Sequence, residues 1–278
     1  MSSGSCKPPY PPWALATDID GTLVDSTYMV TAGERRLAAL LASAGVPLIL
    51  ATSKTLDEAE IYAEKLGLPR TCPGYMIVAE EGAVVTASTP RLLPGGPLVL
   101  AGPPPRPAEL LEGRCREETR TINEMSAEEV SALTGLPPLE AEAARRRRYT
   151  LALHGPRSCL RQAMEAAASM GLYARLGRVF LMVADAGGKA AALREARRRS
   201  PALREAALAA IGDSPMDAEM LEEAEAAAVV PHPGGPAVRP RKSNYIVAEE
   251  PAPRGWEIAV RRLLPLILQG GLGEPPPV

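Results

Sequence analysis

The chain has 278 residues, 46% of them apolar, and a formal net charge of −2. That length fits one large domain or two ordinary ones with a substantial core. The near-zero charge and the 4% aromatic content argue against a nucleic-acid partner, and no apolar run approaches the roughly 20 residues that a bilayer span needs.

Residues 1–12 are polar and proline-rich, show no leader pattern and read as a flexible arm. Cys6, Cys72, Cys115 and Cys159 are widely spaced, form no CxxC or metal pattern, and read as isolated thiols in a reducing compartment. A soluble cytoplasmic protein is the expectation.

Residues 13–16 form a short apolar run that predicts a buried strand. It leads into Asp18-Ile19-Asp20-Gly21-Thr22-Leu23, where Gly21 and Thr22 end the extended run. Residues two apart on an extended backbone point to one side, so Asp18 and Asp20 face a common point. Two carboxylates so placed repel, and a divalent cation with oxygen ligands, Mg²⁺ foremost, offsets that repulsion. The alternative is a surface turn, since Asp-Gly is a common turn pair.

Thr31 predicts the cap of a helix running to about residue 43. Residues 46–51 predict a second buried strand, closed by Thr52-Ser53-Lys54-Thr55. A hydroxyl of Thr52 or Ser53 at that strand end suits either a phosphate or the cap of the next helix, which runs to about residue 66. Residues 75–79 predict a third strand and residues 83–86 a short return. Strand and helix alternate, which specifies an α/β fold with a parallel sheet of right-handed βαβ units.

Proline and glycine crowd residues 90–107, which reads as a linker or long loop. Helices are expected at about 108–120, at 126–133 behind a Ser126/Glu129 capping box, and from 138 to about 148. Strands at 149–154, 172–175 and 179–183 with a helix at 156–170 complete a small α+β domain at 87–184. It is inserted in an α/β domain made of 13–86 and 185–270.

The alternation resumes with a helix at 188–199, whose first turn carries Lys189. A lysine there opposes the helix dipole unless an anion compensates it. A strand at 207–211 leads into Gly212-Asp213-Ser214-Pro215-Met216-Asp217. Pro215 suits the first helical position, and Asp213 and Asp217 share one face as metal ligands or as a simple helix cap. Strands at 226–230 and 245–247, an amphipathic helix at 256–268 and a loose tail at 271–278 follow.

DxDGT, a hydroxyl after the second strand, a lysine and GDSxxD stand here in the order used by the haloacid dehalogenase-like phosphohydrolases, and the chain resembles that superfamily. The resemblance implies a Rossmann-like phosphatase core with Asp18 as nucleophile and Asp20 as general acid/base. Thr52 and Lys189 would complete the catalytic group, and Asp18, Asp20, Asp213 and Asp217 would hold Mg²⁺. The insert lies between the hydroxyl and the lysine, the place of the larger type of cap, which closes over the site and reads the leaving group.

A narrower likeness covers nearly the whole chain. Thr52-Ser53-Lys54-Thr55, the insert segment INEMSAEEVSALTGLPPLEAEAARRRRY and the closing RGWEIAVRRLL are similar to mannosyl-3-phosphoglycerate phosphatases. This implies release of phosphate from mannosyl-3-phosphoglycerate to give mannosylglycerate, a compatible solute. Such a small phosphorylated sugar acid implies contacts with Thr52, Ser53, Lys54 and Lys189, and with the cap arginines Arg147 and Arg178. The run at 145–148 also reads as a solvated helix end.

Three positions depart from the pattern. Met216 stands where it has Asn, Glu81-Gly82 replaces Asn-Gly after the third strand, and Thr150-Leu151-Ala152-Leu153 replaces an acidic stretch. The other readings are a phosphatase for another small ester, such as phosphoglycolate or sucrose phosphate, a phosphosugar mutase, or a Mg²⁺- and phosphate-binding protein without turnover. His154 and His232 fall in no catalytic pattern.

Overall fold

The computed structural model describes residues 13–269, so the expected arm at 1–12 and tail at 271–278 lie outside the described residues. The chain begins with β1 (Trp13–Thr17), α1 (Ala32–Ser43), β2 (Leu48–Ala51), α2 (Leu56–Leu66), β3 (Tyr75–Ala79), β4 (Val84–Ala87) and β5 (Leu98–Val99). There follow α3 (Pro107–Leu110), α4 (Cys115–Glu118), β6 (Arg120–Thr121), α5 (Ala127–Thr134), α6 (Pro138–Ala144), β7 (Thr150–His154), α7 (Arg157–Ser169), β8 (Tyr173–Leu176) and β9 (Leu181–Ala184). It closes with α8 (Gly188–Arg199), α9 (Pro201–Arg204), β10 (Ala207–Gly212), α10 (Ala218–Glu223), β11 (Ala226–Val229), β12 (Tyr245–Val247) and α11 (Arg254–Gln269).

The larger sheet has eight strands in the order β12-β11-β10-β1-β2-β3-β4-β5. Its strands are parallel from β12 to β3, and β4 and β5 add an antiparallel edge. Continuous apolar runs form these strands because both faces are covered. Leu15, Leu50, Ile77 and Ile211 pack under α1, α2 and α11, while Ala16, Ile49, Val78 and Ala210 pack under α8 and α10. The chain leaves β1 towards β2 and returns to its other side with β10. The crevice at this switch point, outside the carboxyl ends of the strands, is where such sheets place ligands.

The smaller sheet, β6-β7-β9-β8, is antiparallel. Its side chains alternate with period two. Leu151, Leu153, Leu181 and Val183 pack against α7, and Ala152 packs on the opposite face with residues of α5 and α6.

Four local expectations change. β5 pairs with β4, so the larger sheet continues to Val99, past residue 86 and into the expected linker. The helix expected at 108–120 is interrupted at Gly113, whose φ of +53° breaks the run into α3 and α4. The helix expected to reach 148 stops at Ala144. The thiols are not isolated: Cys115 and Cys159 form a disulfide, and Cys72 is disulfide-bonded as well. A separation of 44 residues says nothing of proximity. It is the packing of Cys115 against the α7 layer that brings the two sulfurs together. Among the described residues no helix is long and apolar enough to cross a membrane.

Candidate active site

The end of β1 is tied down on two sides. Asp18 N donates to Ile211 O at 3.0 Å, which joins the exits of β1 and β10. The Thr17 hydroxyl donates to Asp18 O at 2.8 Å, and the Trp256 indole of α11 donates to that hydroxyl at 3.0 Å. Leu23 N and Val24 N then both donate to Ile19 O, closing a tight turn. Gly21 sits in this turn at φ +79°, and a Cβ there would lie 2.5 Å from Asp213 Oδ2. The next residue supplies a contact: the Thr22 hydroxyl donates to Asp213 Oδ1 at 2.7 Å. The loop after β1 is therefore shaped around the loop after β10.

Three carboxylates meet at this point. Asp18, Asp213 and Asp217 are buried and offer oxygens that all lie within 4.8 Å of one another. Lys189 Nζ, from the first turn of α8, lies 2.7 Å from Asp18 Oδ1 and 2.8 Å from Asp217 Oδ1. Asp217 Oδ2 accepts from Asp213 N at 3.2 Å, Ser214 N at 3.1 Å and Ser214 Oγ at 2.9 Å, which fixes its orientation.

Burial pushes the Asp18 carboxyl well above the usual carboxylate range, against the pull of Lys189 and with a further push from Asp217 and Asp213. Burial and the Asp217 charge likewise raise Asp213. For Lys189 burial acts downward, but the charges of Asp18, Asp217 and Glu81 outweigh it and hold the ammonium well above its ordinary pKa. One ammonium faces three buried carboxylates, and every donor is a hard oxygen. That donor set and its excess negative charge fit a divalent cation such as Mg²⁺.

Asp20, expected to share the metal through its side chain, stands outside this group. Its carboxylate lies 3.0 Å from Lys54 Nζ, and 43% of its side chain is exposed. Lys54 is buried, with Glu58 at 3.4 Å and the rings of Tyr28 and Tyr62 each 5.3 Å from its Nζ. Burial lowers its pKa, but Asp20 and Glu58 raise it further. Lys54, expected to meet substrate, is thus occupied by Asp20.

Thr52 is buried just beyond β2, beside the exit of β1, and its hydroxyl accepts from Lys54 N at 3.1 Å. Ser53 lends its carbonyl to Arg147 Nη1 at 3.0 Å. Arg147, in a run that reads as solvated, has a side chain only 6% exposed and also donates to Thr150 Oγ1 at 2.7 Å. Arg178 is exposed; it donates to Thr134 O at 2.7 Å, the same carbonyl that accepts from the Tyr28 hydroxyl at 3.1 Å. The two cap arginines therefore occupy different places on the junction between the sheets.

Two residues outside the sequence expectations join the site. His232 Nε2 lies 2.8 Å from Asp213 Oδ2, at the exit of β11. Its position after a predicted strand of the parallel sheet was the available signal. Glu80 accepts from Arg148 N, Tyr149 N, Thr150 N and Thr150 Oγ1 at 2.8–3.1 Å, fastening the turn after β3 to the start of β7.

Residues 15–93 match the family model of haloacid dehalogenase-like hydrolases. The structure is similar to that of a haloacid dehalogenase-like hydrolase from Bacteroides thetaiotaomicron, with 17% identity and a TM-score of 0.68 over 90% of this chain and 98% of that one. It is similar to a subclass IIB sugar phosphatase of that superfamily, with 16% identity and a TM-score of 0.60 over 92% and 99% of the two chains. A phosphatase of the superfamily, also from Bacteroides thetaiotaomicron, gives 17% identity and a TM-score of 0.59 over 96% and 100%. At these identities the likeness is one of fold.

Proposed function

From a chain with the fold of the haloacid dehalogenase-like hydrolases, matching their family model over residues 15–93, we infer a Mg²⁺-dependent phosphatase that works through a phosphoryl-aspartate at Asp18. The observation that carries this reading is Lys189 Nζ, 171 residues from Asp18 in sequence, bonded to both Asp18 and Asp217 beside Asp213.

Asp18 Oδ attacks phosphorus, and the bond from phosphorus to the leaving oxygen breaks. Asp20 gives its proton to the departing alkoxide, then takes one from the water that attacks the phosphoryl-aspartate, releasing phosphate and restoring Asp18. Lys189 and the Thr52 hydroxyl hold phosphoryl oxygens where negative charge develops. A bound Mg²⁺, held by Asp18, Asp213 and Asp217, supplies positive charge that offsets repulsion between nucleophile and phosphate. Lys54, paired with Asp20 at 3.0 Å, keeps that carboxylate oriented.

For the substrate we favour mannosyl-3-phosphoglycerate, on the likeness of the TSKT, insert and closing-helix segments to phosphatases of that ester. The side chain of Arg147 is buried at the junction with the phosphate-side loop, which suits an anionic substrate. A second reading, another small phosphate ester, draws on Thr150-Leu151-Ala152-Leu153. These residues are buried in β7, where the resembled pattern is acidic.

The test is a panel of phosphate esters with and without Mg²⁺, scored for free phosphate and for isomerised phosphosugar. Phosphate release that requires Mg²⁺ and is lost in Asp18→Asn, with thermal unfolding unchanged, is expected. Isomer without free phosphate points to a mutase, and full activity in Asp18→Asn removes Asp18 from the mechanism. Mg²⁺ is also expected to raise the melting temperature of the wild type and not of Asp213→Asn.

A further inference from the structure

We propose that Glu81 is a specificity-determining residue whose carboxylate accepts a hydrogen bond from a leaving-group hydroxyl, so that the phosphatase inferred above acts on a polyhydroxylated phosphate ester.

Glu81 lies in the turn after β3, at the same end of the sheet as Asp18. Both Glu80 and Glu81 have left-handed backbones, at φ +49° and +59°. That conformation is unfavourable for a glutamate and persists only where the surroundings impose it. Here they do. Glu81 N donates to Thr52 O at 3.2 Å, and Gly82, at φ +86°, is pressed so close to Gly188 that a Cβ would lie 2.3 Å from its carbonyl oxygen. The turn is clamped between the loop that carries Thr52 and the residue preceding Lys189.

The two adjacent glutamates use their carboxylates differently. Glu80 fills both oxygens with donors from residues 148–150. Glu81 is equally buried, at 1% exposure, yet among the described residues its Oε1 has no hydrogen-bond partner. A buried carboxylate oxygen without a donor is destabilising, and fastening the two sheets does not account for it because Glu80 already does that. The charges that act on Glu81 come from Lys189 and Asp217 of the core site and from Arg147 and Arg175 of the insert. Arg147 Nε is another buried polar atom without a partner among the described residues.

The unmet acceptor is thus acted on by charges of both the core site and the insert. A phosphate oxygen offers no donor. An ammonium would meet Glu81 but also the three cations around it. A hydroxyl donates to Glu81 without bringing a charge among these groups. In the phosphatases that the sequence resembles an Asn stands at this position.

The test compares kcat/KM for hexose phosphates, their deoxy analogues and p-nitrophenyl phosphate in the wild type, Glu81→Gln and Glu81→Asn. Asn tolerates the left-handed backbone better than most residues, so Glu81→Asn is expected to fold, as its melting curve will report. In the wild type, loss of one particular hydroxyl is expected to lower kcat/KM about tenfold or more, and this discrimination to shrink at least fivefold in Glu81→Asn and less in Glu81→Gln. An active wild type that treats all deoxy analogues alike overturns the proposal without any variant. Undiminished discrimination in a folded variant does the same, and both results leave the phosphatase reading standing. A wild type that releases phosphate from no ester overturns that reading and this proposal with it.

Discussion

Among the described residues, Lys189 is the one cation bonded directly to two of the three clustered carboxylates, and the effect of removing it depends on pH. In Lys189→Met without metal, Asp18 and Asp213, already raised by burial, lose a charge that holds them down. A carboxyl whose folded pKa exceeds its unfolded value contributes stability that is full below the unfolded value and lost as pH rises through the folded one. The variant is therefore expected to be less stable than wild type by about 3 kcal/mol near neutral pH, with the deficit shrinking as pH falls towards the ordinary carboxylate range. Melting temperatures of the two metal-free proteins from neutral pH down to that range check it; a deficit independent of pH contradicts it. Turnover is expected to fall by about a hundredfold or more, from loss of a donor to the phosphoryl group. Gly21→Ala strains a φ of +79° and drives a Cβ to 2.5 Å from Asp213 Oδ2. It is expected to lose about 1–2 kcal/mol of stability and proportionally more activity, read by denaturant melts beside kcat. Asp18, Lys189, Asp213 and Asp217 were legible because each follows a strand or opens a helix with its neighbours in order. His232 and Glu80 were not: each also follows a strand, but as a single residue with no patterned neighbours to mark it, so only folding shows what it faces.

The central strands of the larger sheet were readable because burial on both faces writes them as unbroken apolar runs, whereas the short, half-exposed edge strand β5 was not. In the insert the half-buried strands and short helices leave weaker traces. Gly113 breaks a helix that periodicity alone would continue, and Arg147 looks solvated in sequence because a run of four arginines conceals the one that turns inward. The connection between the two sheets was not readable at all; part of it is Glu80 binding three consecutive backbone amides at the start of β7. Glu80→Ala leaves those buried amides without an acceptor and is expected to destabilise the protein by about 2–4 kcal/mol. Hydrogen exchange at residues 148–150 should rise before that of β1 or β10, and Glu80→Gln should fall between. Equal acceleration in both sheets would mean that the contact does not act locally.

At the scale of the whole molecule, the segment between Cys115 and Cys159 contains β6, α5, α6 and β7, including Arg147 and the residues that Glu80 holds. The disulfide closes this 44-residue loop by joining α4 to α7. α4 has no buried residue of its own, so the bond is its main attachment to the layer under the smaller sheet. Closing a loop of that length removes chain entropy from the unfolded state equivalent to roughly 4 kcal/mol. The buried apolar clusters of the insert are distinct from those of the larger sheet, bridged by Tyr28 and Tyr149, so most of the gain falls on one part of the molecule. The double variant Cys115→Ala/Cys159→Ala is expected to unfold in its insert at a lower temperature, with the larger sheet melting later, followed by hydrogen exchange in β7 and β10. Reductant alone is a poorer probe, because Cys72 is also disulfide-bonded and lies just before β3. The double variant separates the two effects: wild-type melting in it would show that packing of α7 holds the insert without the crosslink.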